Sequence, residues 1–373
     1  MRLNVVVCEP YFSGSHRSWA EGLATHSAHA VRLITHHGGF WKWRMQGAAL
    51  TLADDLRRLA HDDGWRPDVL LVSDMVHVPA LLGLARDVLA GTTVVLYMHE
   101  NQLTYPLPDG EAADFTYAMT NWLSLAAADH VVFNSEHHRR AVLDALPGLL
   151  RRFPDHRHCD LVDTVMADER VSLLPVGVDV ARFAGSSRDD GPPVILWNHR
   201  WEYDKGPAAF FATLEELDEH GVDFRLAVAG ESYQTVPPEF DAARARFADR
   251  IVWFGTASDD EYPGLLRRAD VVVSTAQHEF FGVAVVEAIA AGALPLLPNR
   301  LSYPELVPHV DPYLYATPRD LVDKLRWALT HPSARAEAAA TARAHVHRFA
   351  WPEVAPRYDT LLRHVVLGRE MRA

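Results

Sequence analysis

The sequence predicts an α/β protein made of two doubly wound parallel-sheet halves. Three observations predict it. Short, unbroken runs of apolar and β-branched residues recur along the chain, helical stretches separate them, and the rhythm restarts after a small, polar, proline-containing segment at 184–193. Strands without polar alternation are those covered on both faces, and the intervening helices supply the crossovers that parallel pairing requires. A chain of 373 residues holds about two domains.

The elements follow in order. Strands are expected at 3–7, 31–35, 69–72, 93–98 and 130–134, with helices at 16–26, 47–61 and 77–89. The second half repeats the pattern, with strands at 194–198, 224–229, 251–254, 271–274 and 294–297 and helices near 207–220, 259–268 and 282–292. Helical, Ala- and Arg-rich stretches at 333–349 and 353–370 close the chain. The expected domains are therefore 1–183 and 194–349, with a last helix at 350–373 that can return to the first. Ligands of such sheets bind outside the C-terminal ends of the strands, here in a central cleft faced by both halves.

Composition excludes several classes. Hydrophobic residues make up 49% and charged residues 23%, as in packed globular domains rather than disordered chains. The most apolar window, 281–298, is interrupted by Glu287, Pro295 and Pro298, so no membrane span is expected. Cys8 and Cys159 are the only cysteines, which fits a reducing, cytoplasmic setting. The net charge of −13 argues against a broad nucleic-acid surface but leaves room for a local basic patch.

Several strand-end turns carry chemistry. In EPYFSGSH, residues 9–16, Ser13-Gly14-Ser15 can bring backbone N–H groups close to an anion at a helix start. One glycine is not a dinucleotide fingerprint, so no nicotinamide cofactor is expected. In WNHRWEYDKGP, residues 197–207, Arg200 and Lys205 stand just past a strand end and suit a diphosphate, although a solvated loop with incidental charges has the same composition. In the run 270–299, Glu279 sits in a loop, Phe281-Gly282-Val283 open a helix, and Glu287 lies inside it. An E-x7-E spacing means little alone; the strand–loop–Gly–helix context places carboxylates beside a helix mouth that favours phosphate. In the first half, His99, Glu100 and Asn101 follow one strand and Asn134 ends the next. A structural histidine remains an equal reading for His99. No metal-ligand spacing, D-x-D or Walker A motif occurs, so no metal and no cofactor are expected.

Together, EPYFSGSH, WKWRMQGAAL, YMHENQLTYP, NWLSLAAADHVVFNS and NHRWEYDKGP resemble the tRNA-queuosine alpha-mannosyltransferase family, within the group 1 retaining glycosyltransferases of the GT-B fold. The resemblance implies two Rossmann-like domains and mannose transfer from a nucleotide sugar, GDP-mannose, to queuosine in tRNA. It makes Arg200 and Lys205 the diphosphate clamp and places Glu279 on the donor sugar hydroxyls and Glu287 on the nucleotide ribose. His99 falls near the donor sugar and Gly14 near the diphosphate; Phe281, Gly282 and Val283 complete the donor side. His99, Glu279, Arg200 and Lys205 are the expected catalytic set.

On the acceptor side stand Ser15, His16, Glu100, Asn101, Asn134, the run Trp41-Lys42-Trp43-Arg44, and Arg139 and Arg140. No Asp or Glu occurs from Gly22 to Ala53, and basic residues interleaved with aromatics suit RNA phosphates and bases. The same residues also fit a second reading, with the tryptophans in the core and the arginines in water. A small-molecule, lipid or glycan acceptor, or an inactive nucleotide-sugar-binding protein, stays open as well. Oligomeric state is not legible.

Overall fold

The computed structural model describes residues 1–62, 64–106, 114–185, 190–231 and 236–370. They form two compact units, Met1–Gly177 with Trp351–Ala373, and Val178–Ala350.

In the first unit the elements run β1 (Asn4–Phe12), α1 (Gly14–His26), β2 (Ala30–His37), α2 (Trp41–Asp62), β3 (Val69–Ser73), α3 (Val78–Leu84), α4 (Arg86–Leu89), β4 (Thr93–Met98), α5 (Phe115–Ala127), β5 (His130–Phe133), α6 (Glu136–Leu150), α7 (Val162–Val165) and β6 (Val171–Leu173). Its six strands are ordered β2-β1-β3-β4-β5-β6, and all pair in parallel. The order reverses between β1 and β3, the switch point where side chains at the strand ends are left uncovered by crossovers. Val5, Val6, Val7, Leu70, Leu71 and Leu96 are fully buried, which is why these strands carry no polar alternation.

The second unit runs β7 (Val194–Asn198), α8 (Pro207–Glu219), β8 (Arg225–Ala229), α9 (Glu239–Arg246), β9 (Ile251–Gly255), α10 (Tyr262–Arg268), β10 (Val271–Val273), α11 (Val283–Ala290), β11 (Leu294–Pro298), β12 (Leu314–Tyr315), α12 (Pro318–Thr330) and α13 (Pro332–Val346). The strand order is β12-β11-β10-β7-β8-β9, so this sheet reverses between β7 and β10. The closing helix α14 (Trp351–Glu370) belongs to the first unit.

The α/β fold with two parallel sheets is as the sequence predicts, and the differences are local. Residues 178–183, expected in the first domain, belong to the second unit. There Val178 N–H donates to Phe349 O at 2.8 Å, and Phe183 packs edge-on against Tyr262. Part of the expected linker, 186–189, lies outside the described residues. The helix expected from 47 begins at Trp41 instead, because Phe40 O accepts from the N–H groups of Trp43 and Arg44. The helix expected at 77–89 is two, divided at Ala85.

α14 docks through close approach. An added Cβ would lie 2.1 Å from the Trp351 ring at Gly22 and 2.4 Å from it at Gly177, so both positions need glycine. Tyr358 accepts from Trp19 Nε1 at 3.1 Å and donates to Pro175 O at 3.1 Å. Asp359 accepts from Ser27 Oγ and Ala28 N.

Candidate functional site

In the first unit, polar side chains gather where β1, β3, β4 and β5 end. Glu9, within β1, is fully buried. Its two oxygens accept from Tyr11 N–H at 2.8 Å and His16 Nδ1 at 2.9 Å. Burial opposes a charge on His16, but Glu9 outweighs it and raises the imidazole to about 9, so His16 is an imidazolium at neutral pH. Its ring lies 4.1 Å from that of His99. Burial first, then the His16 and His138 rings, holds His99 well below the usual histidine range and therefore neutral.

Asp74 directly follows β3. Its Oδ1 accepts from the backbone N–H of His99 at 2.7 Å and of Glu100 at 3.3 Å. Burial raises its carboxyl to about 8 against the opposing charge of His16. Asp74 Oδ2 and His99 Nε2 are buried with no hydrogen-bond partner among the described residues, an uncommon state for polar atoms inside a protein. Trp19 and Tyr97 pack edge-on against His99 and fix its plane. Ligating atoms of Glu9, His16 and His99 lie within 4.8 Å of one another. Both Glu9 oxygens accept a hydrogen bond, and the group forms an ion pair beside a neutral imidazole.

In the second unit the loops after β7 and β10 interlock. Lys205, 6% exposed, donates to His278 O at 2.9 Å and meets Asp204 at 3.1 Å and Glu279 at 3.5 Å. Burial opposes its charge, but the two carboxylates hold the ammonium above its ordinary pKa. Burial likewise opposes the Glu279 carboxylate, and Lys205, His199 and His278 keep it below the ordinary range. Glu279 Oε1 accepts from the N–H groups of Phe280 and Phe281. Gly206, in the left-handed region at φ 65°, brings its backbone against Thr275 O, where a Cβ would lie at 2.4 Å. Thr275 Oγ1 then bonds the carbonyls of Lys205 and Gly206.

The neighbouring helix α11 starts at Gly282, φ 94°, with no side-chain cap. Gly282 O accepts from the N–H groups of Val285 and Val286, so the donors that the mouth of the helix offers to an anion are those of Val283 and Ala284. Glu287, on that helix, accepts from Tyr262 Oη at 2.7 Å; burial, only partly offset by that bond, raises it to about 7.

Each expected residue has a definite place. Gly14 opens α1 at φ 49°, with Ser15 and His16 in its first turn. Lys205, Glu279, Phe281, Gly282 and Val283 share one corner of the second unit. Lys205 is not the loosely solvated charge a loop would give. Arg200 is more open, its side chain 39% exposed and 3.3 Å from Glu202. Asn101 Oδ1 is spent on Leu103 and Thr104, and Asn134 brackets His99 O and His138 Nδ1; both shape their turns. Glu100 accepts from Gln102. Arg139 and Arg140 both bind Glu136. Trp41 packs on Tyr117, their rings 5.0 Å apart, whereas Trp43 is exposed.

Sequence reasoning missed Glu9, Asp74, Asp204 and Tyr262. An acid within or just after an apolar parallel strand, as in VVVCE and VLLVSD, was the available signal.

These features define a class. The fold matches sucrose-phosphate synthase from Thermosynechococcus elongatus with a TM-score of 0.74 at 15% identity, covering 98% of this chain and 100% of that one. It matches Anabaena Alr3699/HepE in complex with UDP with a TM-score of 0.70 at 16% identity, over 98% and 100% of the two chains. This is the GT-B glycosyltransferase fold. Residues 181–345 match the glycosyl transferases group 1 family, and residues 4–178 match the tRNA-queuosine alpha-mannosyltransferase N-terminal family. The tRNA-queuosine alpha-mannosyltransferase of Drosophila melanogaster is 34% identical over 331 residues, 86% of each chain. A GDP-mannose:cellobiosyl-diphosphopolyprenol alpha-mannosyltransferase of Xanthomonas oryzae pv. oryzae is 27% identical over 206 residues, 53% of this chain and 54% of that one. The chain belongs to the tRNA-queuosine alpha-mannosyltransferase family.

Proposed function

We propose that this protein moves mannose from GDP-mannose to a cyclopentenediol hydroxyl of queuosine in tRNA, with retention at the anomeric carbon. The observation that carries the donor side is Lys205, buried and kept charged by Asp204 and Glu279 next to the uncapped mouth of α11. The names of the Drosophila and Xanthomonas relatives support mannose, tRNA and the guanine nucleotide.

The bond from the sugar C1 to the β-phosphate oxygen breaks, and a new C1–O bond forms to the acceptor hydroxyl on the same face. The hydroxyl proton passes to the departing phosphate, and the products are GDP and mannosylated tRNA. Negative charge grows on the diphosphate as the sugar becomes cationic. Lys205, Arg200 and the N–H groups of α11 meet that charge, and such donors stabilise the transition state more than the ground state. Glu279 accepts from sugar hydroxyls and Glu287 from the ribose. In the first unit His99 Nε2 and Asp74 Oδ2 offer neutral polar atoms to hydroxyl groups. The protein cations supply the charge stabilisation that a metal gives elsewhere, so a chelator should leave the rate within about twofold.

The decisive measurement is mass analysis of tRNA nucleosides after incubation with GDP-mannose. Queuosine should gain one hexose. Unchanged queuosine, with GDP-mannose consumed on another acceptor, overturns the reading.

A further inference from the structure

The loop after β2 and the first turn of α2 present aromatic surface to solvent. Phe40 is 84% exposed and Trp43 63% exposed, where apolar rings of this size ordinarily find cover. They are not loose. Phe40 sits in the left-handed region at φ 53°, and its carbonyl anchors the N–H groups of Trp43 and Arg44. The Trp43 ring lies along its own helix over Gly47, where an added Cβ would come within 3.0 Å of the ring. One part of the indole therefore rests on the backbone of α2 while most of it remains in water.

The surroundings favour a polyanion. Lys42 lies between the two tryptophans in sequence, its Nζ 5.6 Å from the centre of the Trp41 ring with Asp114 the acid that feels its charge, and Arg44 donates to His37 O. The segment from Gly22 to Ala53 contains no Asp or Glu. An aromatic path connects this surface to the strand-end site of the same unit. Trp41 contacts Tyr117, Tyr11 and Trp41 pack on the cluster of Met45, Met75 and Tyr117, and Tyr11 meets His16 edge-on at 5.7 Å.

We propose that Trp43 and Phe40 form a base-stacking platform for an RNA strand, with Lys42 meeting a backbone phosphate. The inference rests on the tRNA reading and deepens it, separating Trp43, a contact residue, from Trp41, a packing residue. Every base offers a π-face, so stacking suits this exposed pair, and the basic residues supply the salt-sensitive part of the affinity.

The test uses the full chain and purified tRNA, with binding read separately from transfer. Trp43→Ala together with Phe40→Ala should raise the tRNA Kd at least about fivefold while the GDP-mannose Kd stays within about twofold. Trp43→Phe should restore most of the affinity. Lys42→Gln should shallow the salt dependence of binding by about one phosphate contact. Both aromatics lie at the surface, so an unchanged melting temperature is expected and excludes misfolding. An unchanged tRNA Kd in the double variant overturns the platform, as does loss of self-association in place of loss of tRNA binding. Intact platform-dependent binding without mannosyl transfer would instead count against the proposed reaction alone.

Discussion

The two strand-end sites are built on opposite electrostatic plans. In the second unit one ammonium is pressed between two carboxylates, with a second cation and a bare helix mouth nearby. In the first, an ion pair is used up internally between Glu9 and His16, and the atoms left for a ligand belong to a neutral imidazole and a carboxyl held high by burial. A charged site suits a leaving group that gains charge, whereas a near-neutral polar site suits hydroxyls. Both sit at a reversal of strand order, because only there do neighbouring strand ends lie open.

Lys205→Ala should break the comparison most. It removes the charge proposed to face the diphosphate, and kcat should fall about 100- to 1000-fold in a GDP-release assay. It also leaves Asp204 and Glu279 buried without their cation, at a cost of about 3–5 kcal/mol, so calorimetry should show a lowered melting temperature. An unaltered rate in folded protein would mean the clamp lies elsewhere.

His99→Ala should lower kcat by about 10- to 100-fold, yet leave the GDP-mannose Kd within about twofold, because the charged groups proposed for the diphosphate, Lys205 and Arg200, lie in the second unit. Equal damage to donor binding, read by calorimetric titration, would erase the division of labour.

A pH series sharpens the contrast through stability. His16 has a folded pKa raised above its ordinary value, so its contribution is complete below about 6.5 and is lost as pH rises through about 9. Asp74, raised to about 8, adds a loss in the same direction as pH climbs toward that value. The His16 shift alone corresponds to about 3 kcal/mol, so the melting temperature should fall by about 5–10 °C between pH 6.5 and 9.5. His16→Gln should flatten that slope; an equally steep one would show that the ion pair is not its source.

The smallest effect belongs to Glu287. Ionisation near pH 7 makes it a better acceptor for ribose hydroxyls, so GDP affinity should improve a few-fold from about pH 6 to 8. Glu287→Gln should remove that dependence.

The sequence alone determined the alternation of strands and helices, since buried parallel strands must be apolar on both faces and their runs are visible one by one. It also singled out Arg200, Lys205, Gly282 and Glu287, the residues proposed for the donor, because they follow strand ends within short segments. The edge strands β6 and β12 were not legible, for two or three residues carry no pattern. Nor was the membership of α14 in the first unit, which depends on Trp351 finding Gly22 and Gly177 far away in the chain. Only the tertiary structure could distinguish Trp41 from Trp43, two residues apart, or pair Glu9 with His16 and Asp74 with His99. Burial and partnership are properties of the packed chain, and they decide which of many similar side chains is neutral, charged, covered or open.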